Sequence, residues 1–317
     1  TLAIRASIIR HTAEVFRPNL FLVDKEPLGL RGEITETLHM LKGMGTKLVL
    51  GLRDVMDEPT LLRREWEAGQ LVPALANLYD EIWVYGMSDV WNPLTDIELP
   101  AQVADKIIYT GYLKRSLPQS LKRTPSVEIE EPYLLVTAGG GGDGYDLLDW
   151  VLRAYETDPD LPYAPLFILG PFMNADQQEE LTRRIDSLAN ANAITFDSHV
   201  EFLMAEAAGV ISMGGYNTFC EILSFDKRAV IVPRCEPRQE QLVRAEQAER
   251  LGLTRMINPQ LMDDTSVMAG AIRDLPGQPL PSKALLPGML DGLEQVAALA
   301  GNHLRGVEGR QAVIEAV

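Results

Sequence analysis

Short apolar runs recur along this chain at intervals filled by helical patterns, and that alternation leaves few folds open. The runs are LFLVD (20–24), KLVLG (47–51), EIWVYG (81–86) and KIIYT (106–110), then YLLVTA (133–138), PLFILG (165–170), AITF (193–196), GVIS (209–212), AVIVP (229–233) and TRMI (254–257). Helical periodicity falls between them, near 3–16, 32–43 and 61–79, and again near 144–157, 175–190, 200–207, 216–225 and 239–252. β-branched runs alternating with helices predict α/β units on parallel sheets. The stretch 113–132 breaks the rhythm with three prolines, four basic residues and no clean apolar period, as a domain linker does. The expected organisation is two Rossmann-like domains facing a cleft: residues 1–114, a linker at 115–131, and residues 132–317. The tail from 260 reads as helical, interrupted by Pro276, Pro279, Pro281 and Pro287. The first half offers four strands behind an opening helix and the second offers six. The chain opens at Thr1 with no initiator Met, so the expectation is that the N-terminal domain is truncated.

Composition narrows the function. Acidic residues outnumber basic ones 45 to 29, a formal net charge of −16. Such a chain has no general attraction for nucleic acid or anionic lipid, because the phosphate term is repulsive. Cys220 and Cys235 are too few for a disulfide framework and match no zinc spacing. No apolar run approaches the ~20 residues that span a bilayer. The expected location is the cytoplasm, or the periphery of the membrane's inner face.

Three motifs carry chemistry. In YLLVTAGGGGDGYDLLDW a buried strand runs into Gly139, Gly140, Gly141 and Gly142 and then a helix. Glycine N–H groups can converge on an anion there, aided by the helix N-terminus. Gly139, Gly141 and Gly144 satisfy G-x-G-x-x-G, yet the next strand ends Ile168-Leu169-Gly170-Pro171 without the carboxylate that a dinucleotide ribose needs. A phosphate loop is the better reading, and a turn that only permits close packing is the plain alternative. In GVISMGGYNTFCEILSFDKRAVIVPR, Gly214 and Gly215 make a second such turn, and a helix then carries Thr218 and Glu221. Glu221 lies about 9 Å along the axis from the turn, a diphosphate-to-ribose distance, and a carboxylate accepts from two hydroxyls at once. The alternative makes it a solvated helix residue. The third motif is Pro233-Arg234 followed by QEQLVRA (239–245), where Gln241 is placed to bond a sugar hydroxyl.

Together these resemble the donor-binding half of the family 28 glycosyltransferases of GT-B fold, a family that includes the enzyme adding N-acetylglucosamine to the lipid-linked peptidoglycan precursor. The shared pattern is a loop-opening Phe, a later Ser, S-x-x-G-x-x-T-x-x-E, a G-x-P strand and Q-x-x-N-A. Here it reads Phe196, Ser212, Gly215, Thr218, Glu221, Val230–Pro233 and Gln241–Ala245, with the glycine run at 139–142 matching the loop after the domain's first strand. The chain is most similar to the "predicted glycosyltransferase" branch. By that resemblance, Phe196 and Asp197 border the nucleobase, Asp197 through its backbone. Gly139–Gly142 and Gly214–Gly215 face the diphosphate, Glu221 the ribose and Gln241 the donor sugar. Three departures stand out: Met213 where the family often has Arg, Asp226-Lys227-Arg228 before the G-x-P strand, and Arg244 for Asn.

The first half says less. Asp24, Glu26 and Asp54 follow strands and are candidates for a general base, with Arg53 orienting an acceptor's anionic group. Helix-capping carboxylates, Asp54 before a helix at 57–68 for instance, are the equal alternative. His11, His39 and His303 read as surface or packing residues. His199, after Asp197-Ser198, is placed as a helix cap and is a lesser candidate for touching ligand. No histidine–carboxylate spacing suggests a metal, so a metal-independent transfer with no cofactor is expected, helix end and backbone donors stabilising the leaving diphosphate. The resulting expectation is a glycosyltransferase moving a sugar from a nucleotide-diphosphate donor, UDP by resemblance, to an unknown acceptor hydroxyl. The alternatives are a nucleotide-sugar 2-epimerase and a non-catalytic nucleotide-sugar-binding protein.

Overall fold

The computed structural model describes residues 1–118, 132–140 and 142–305. The chain divides into two compact units, one of Thr1–Leu113 with Gly288–Val317 and the other of Lys114–Pro287.

In the first unit the order is α1 (Leu2–Phe16), β1 (Leu20–Asp24), α2 (Thr35–Gly43), β2 (Lys47–Arg53), α3 (Pro59–Ala68), α4 (Leu71–Asn77), β3 (Glu81–Tyr85), α5 (Ala101–Ala104) and β4 (Ile107–Tyr109). The four strands lie in the sheet in chain order, all parallel. Leu48, Leu50, Leu52, Ile82 and Val84 are buried with Leu38 and Leu41 of α2, which is why these strands read as unbroken apolar runs. The single helix expected over 61–79 is two helices. Gly69 ends α3 and Gln70 turns into the left-handed region at φ 48°. α4 then holds Pro73 in its first turn, where a missing N–H costs nothing.

The second unit contains β5 (Tyr133–Thr137), α6 (Tyr145–Thr157), β6 (Ala164–Ile168), α7 (Ala175–Ile185), β7 (Asn192–Ile194), α8 (Val200–Glu206), β8 (Gly209–Ser212), α9 (Tyr216–Ser224), β9 (Ala229–Ile231), α10 (Glu240–Arg250), β10 (Arg255–Met256) and α11 (Thr265–Asp274). Its sheet is parallel, in the order β10-β9-β8-β5-β6-β7. β5 is buried throughout and serves two cores. Leu134 and Val136 pack with α6 and α11, while Tyr133 and Leu135 pack with Leu203, Met204, Ile222 and Ala245. The chain leaves β5 toward β6 and β7, then returns to lay β8 on the other side of β5. This reversal opens a crevice beyond the carboxyl ends of β5 and β8, where doubly wound sheets hold ligands.

Two expected boundaries change. The last helix, α12 (Gly292–Arg305), belongs to the first unit, not to a domain running 132–317. Tyr112 N donates to Met289 O at 2.7 Å, Gly292 N donates to Tyr112 O at 3.1 Å, and His303 Nε2 lies 2.9 Å from Glu81 Oε1. An apolar helical pattern states that a face is buried but not which sheet buries it. At the expected linker, Arg115 already belongs to the second unit: its N–H donates to Ser224 Oγ at 2.9 Å on α9. Residues 119–131 of that linker lie outside the described residues. No helix among the described residues is long and apolar enough to cross a membrane.

Candidate functional site

Two glycine turns stand side by side at the switch point, and they repeat one local design. Thr137 ends β5 and Ser212 ends β8, and the two are register partners. Two residues after each comes a left-handed glycine, Gly139 at φ 70° and Gly214 at φ 72°. In each turn the glycine N–H meets the hydroxyl of the strand's last residue: Gly139 N to Thr137 Oγ1 at 3.2 Å and Gly214 N to Ser212 Oγ at 3.3 Å. These long bonds set the turns. The amides that follow, at Gly140, Gly142 and Gly215, and the N-terminal end of α9 are the candidate anion donors. Nothing would meet a Cβ at Gly215 within 4 Å, so the space in front of it is open. Gly141 of the expected loop lies outside the described residues.

α9 buries Tyr216, Phe219, Cys220, Ile222 and Leu223 and turns Thr218 and Glu221, one helical turn apart, to its other side. Glu221 is only partly exposed, and burial pushes its carboxyl above the usual range, with the Arg115 charge pulling the other way. It is therefore not a freely solvated helix residue. Arg115 lies along the same helix, its guanidinium bonded to Asn217 Oδ1 at 3.1 Å. Sequence reading placed it in a linker; its only signal was a basic pair among prolines.

Phe196 is 62 % exposed in the loop after β7, and Asp197 Oδ1 accepts from His199 N at 2.8 Å. His199 is the N-cap residue of α8 but makes no side-chain cap bond; its ring lies 2.9 Å from Ser198 Oγ. A second exposed aromatic, Phe172 at 78 %, closes over the first glycine turn, and its N–H donates to Gly140 O at 3.0 Å. A Cβ at Gly140 would come within 3.2 Å of its ring. Phe172 was not singled out from sequence, where one Phe after Gly-Pro carries no signal.

On the far side of β8, Gln241 is buried and its Oε1 accepts from Arg234 N at 3.0 Å. That bond holds the loop after β9 and leaves Nε2 as its remaining polar group. Arg234 spans two carboxylates, Nη1 to Asp143 Oδ2 and Nη2 to Glu240 Oε1, both at 2.7 Å. Arg244 is buried beneath the second turn, donating to Gly214 O at 3.1 Å with its guanidinium 5.7 Å from the Tyr216 ring centre. The switch point thus has two arginines in its walls that the alternation of strands and helices did not reveal.

In the first unit, Asp24 ends β1 and lies exposed, 3.9 Å from the Arg53 guanidinium at the end of β2. Glu26 follows in the same loop, its N–H on Asp24 O at 2.8 Å. Asp54 is buried at 1 % and accepts from Val55 N at 2.7 Å. It caps no helix: α3 begins at Pro59, and Glu58 caps it by accepting from Leu61 N at 2.9 Å. Among the described residues, no group of three His, Cys, Asp or Glu side chains could hold a metal ion.

Comparison with known proteins agrees with this geometry. Residues 161–275 match the glycosyltransferase family 28 C-terminal domain, a span that includes β8, its glycine turn and α9. No curated protein matches the chain in sequence. Among solved structures, the glycotransferase of kitacinnamycin superposes with a TM-score of 0.65 at 16 % identity, over 96 % of this chain and 80 % of that one. MnaA of S. aureus, in its UDP co-structure, gives 0.64 at 13 %, over 99 % and 85 %. MurG of Acinetobacter baumannii gives 0.60 at 12 %, over 94 % and 78 %. These likenesses establish the fold, which is GT-B.

Proposed function

We propose, for a chain that is a family 28-like glycosyltransferase of GT-B fold, that the crevice at the β5/β8 switch point binds a nucleotide-diphosphate sugar, UDP being the favoured nucleotide. The observation that carries this is the pair of matched glycine turns, whose backbone and helix N-terminus offer partial positive charge where a doubly wound sheet holds its ligand. In this reading the turns of Gly139, Gly140, Gly141 and Gly142 and of Gly214 and Gly215 face the diphosphate, the amides that follow Gly139 and Gly214 donating to it. Glu221 accepts from the ribose hydroxyls, with Thr218 one turn nearer the phosphates. Phe196 and the Asp197 backbone border the base, and Gln241 Nε2 donates to the sugar. UDP as the nucleotide is supported by the family resemblance and by the UDP held in the co-structure of a structural neighbour.

The transfer then needs an acceptor hydroxyl. Its oxygen attacks the anomeric carbon as the bond from that carbon to the diphosphate oxygen breaks, and the helix end and amides stabilise the departing charge. The acceptor's proton goes to a base. Asp24 and Glu26 are the accessible candidates, with Arg53 as the partner of Asp24; Asp54 is too enclosed to meet an incoming hydroxyl. No metal is assigned a part in this reading.

The first test compares UDP with uridine by thermal shift. UDP is expected to raise the melting temperature by several degrees at a hundredfold excess over its Kd, a stabilisation of about 2.7 kcal/mol, and uridine at equal concentration far less. Equal shifts would remove the diphosphate from the site. Nucleotide-sugar 2-epimerases also use this fold, so donor incubated without acceptor separates the reactions: an epimerase converts the sugar, a transferase leaves it unchanged, and a binding protein does neither with any acceptor.

A pH dependence follows from Glu221. Burial raises its carboxyl pKa, so the folded protein prefers it protonated. Its contribution to folding stability is thus fully present below the ordinary glutamate value near 4.5 and is lost as pH rises through the raised value. Ribose binding needs the ionised form and runs the other way. Nucleotide affinity should fall as pH drops through that raised value, and calorimetric titration of wild type against Glu221→Gln checks it: the glutamine variant should bind weakly at every pH, with a flat profile.

A further inference from the structure

We propose that Arg234 is the cation of the donor diphosphate and that Asp143, by holding it, is a competitor built into the crevice. This rests on the donor reading above and adds a regulator to that site.

The strand order supplies the geometry. β9, β8 and β5 are successive neighbours, with Thr137 level with Ser212 and Ser212 level with Ile231. Asp143 lies in the loop after β5 and Arg234 in the loop after β9, so β8 separates their strands by two intervals, about 10 Å. Their ion pair, Nη1 to Oδ2 at 2.7 Å, therefore joins the two loops that flank, in sheet order, the loop holding Gly214 and Gly215. A phosphate received at that turn would come between these two flanking loops.

The two ends are held unequally. The other arm of Arg234 is bonded to Glu240 Oε1, whose side chain is 18 % exposed at the start of α10, and its N–H is bonded to the buried Gln241. Asp143 is 46 % exposed. Arg234 is thus anchored from α10, while Asp143 can turn into water. An exposed ion pair of this kind is worth ~0–1 kcal/mol. A diphosphate brings more negative charge and can take the guanidinium face in two bonds. Exchange of Asp143 for phosphate is downhill, and it leaves the carboxylate outside the crevice. Of the other cations described near the second turn, Arg244 is buried with its guanidinium on Gly214 O and Arg115 is bonded to Asn217 Oδ1 on α9, while Met213 supplies none.

A merely structural tie between the loops predicts something different: either truncation would loosen the glycine turn and weaken every ligand. Competition predicts opposite signs. Full-length wild type, Asp143→Asn, Arg234→Gln, Arg234→Lys and the Asp143→Asn/Arg234→Gln double variant would be titrated calorimetrically with UDP and uridine, and with the dTDP and GDP pairs. Asp143→Asn should bind the nucleoside diphosphate about 2- to 5-fold tighter, the size of a lost competing ion pair. Arg234→Gln should bind it about tenfold or more weaker, with Arg234→Lys between, while nucleoside affinity stays constant. In the double variant the gain from Asp143→Asn should vanish. Weaker or unchanged diphosphate binding by Asp143→Asn, or parallel changes for nucleoside, overturns the proposal while the donor reading stands. A wild type that holds no nucleoside diphosphate above its nucleoside overturns the donor reading and this proposal with it.

Discussion

Glu221→Ala is expected to weaken nucleotide binding about 100-fold or more while the melting temperature stays at or slightly above that of wild type. Two ribose hydroxyls donating to one ionised carboxylate are charge-assisted bonds of ~1.5–3 kcal/mol each, and 1.4 kcal/mol is tenfold in affinity. The stability side follows from burial. The carboxyl is desolvated and its pKa is raised despite the opposing Arg115 charge, so without bound nucleotide the ionised group is a cost near neutral pH. α9 is held by Tyr216, Phe219, Cys220, Ile222 and Leu223 on its opposite side, none of which changes. Calorimetric titration with UDP and a melting curve on the same sample check both halves. A variant with wild-type affinity removes Glu221 from the ribose; one that loses several degrees makes it a structural residue.

Much of this site is written in the sequence because the residues that form it are consecutive. A strand, a glycine turn and a helix follow one another in two places, and the local rules for each survive folding: buried strands are apolar runs, and left-handed turns take glycine. The ten strand positions and the Gly214-to-Glu221 unit were legible for that reason. What was not legible depends on residues far apart in the chain. Arg234 meets Asp143 across 91 positions, Phe172 covers Gly140 from the next strand's loop, and α12 returns to the first unit. Those pairings follow from sheet order, and the reversal after β7 cannot be read from periodicity alone. The burial of Asp54 was illegible for another reason. Its loop position was right, but exposure is decided by the neighbouring strand: a Cβ on Gly86 would press on the Asp54 Cβ at 2.7 Å.

The two glycines of the second turn should separate folding from binding. Gly214→Ala is expected to lower the melting temperature by on the order of 10 °C. Its φ of 72° costs an L side chain ~1–2 kcal/mol, and the new methyl would sit 2.6 Å from Ile231 Cγ2 in the adjacent buried strand. Overpacking of that kind adds ~1–3 kcal/mol, and in a unit of this size each kcal/mol is worth ~2–4 °C. Gly215→Ala carries neither cost. The residue sits at φ −56°, a region open to alanine, and a Cβ there meets nothing within 4 Å. Its melting temperature should stay within about 3 °C of wild type, the remainder being the poorer N-cap. The methyl would stand in the open space before the α9 amides, so UDP affinity should drop about tenfold, the equivalent of one lost amide–phosphate bond, with uridine affinity unchanged. Equal losses of stability in the two variants would remove the strain argument from Gly214. Full UDP affinity in Gly215→Ala would show that the phosphates lie elsewhere, and the assignment of the second turn would fall with it.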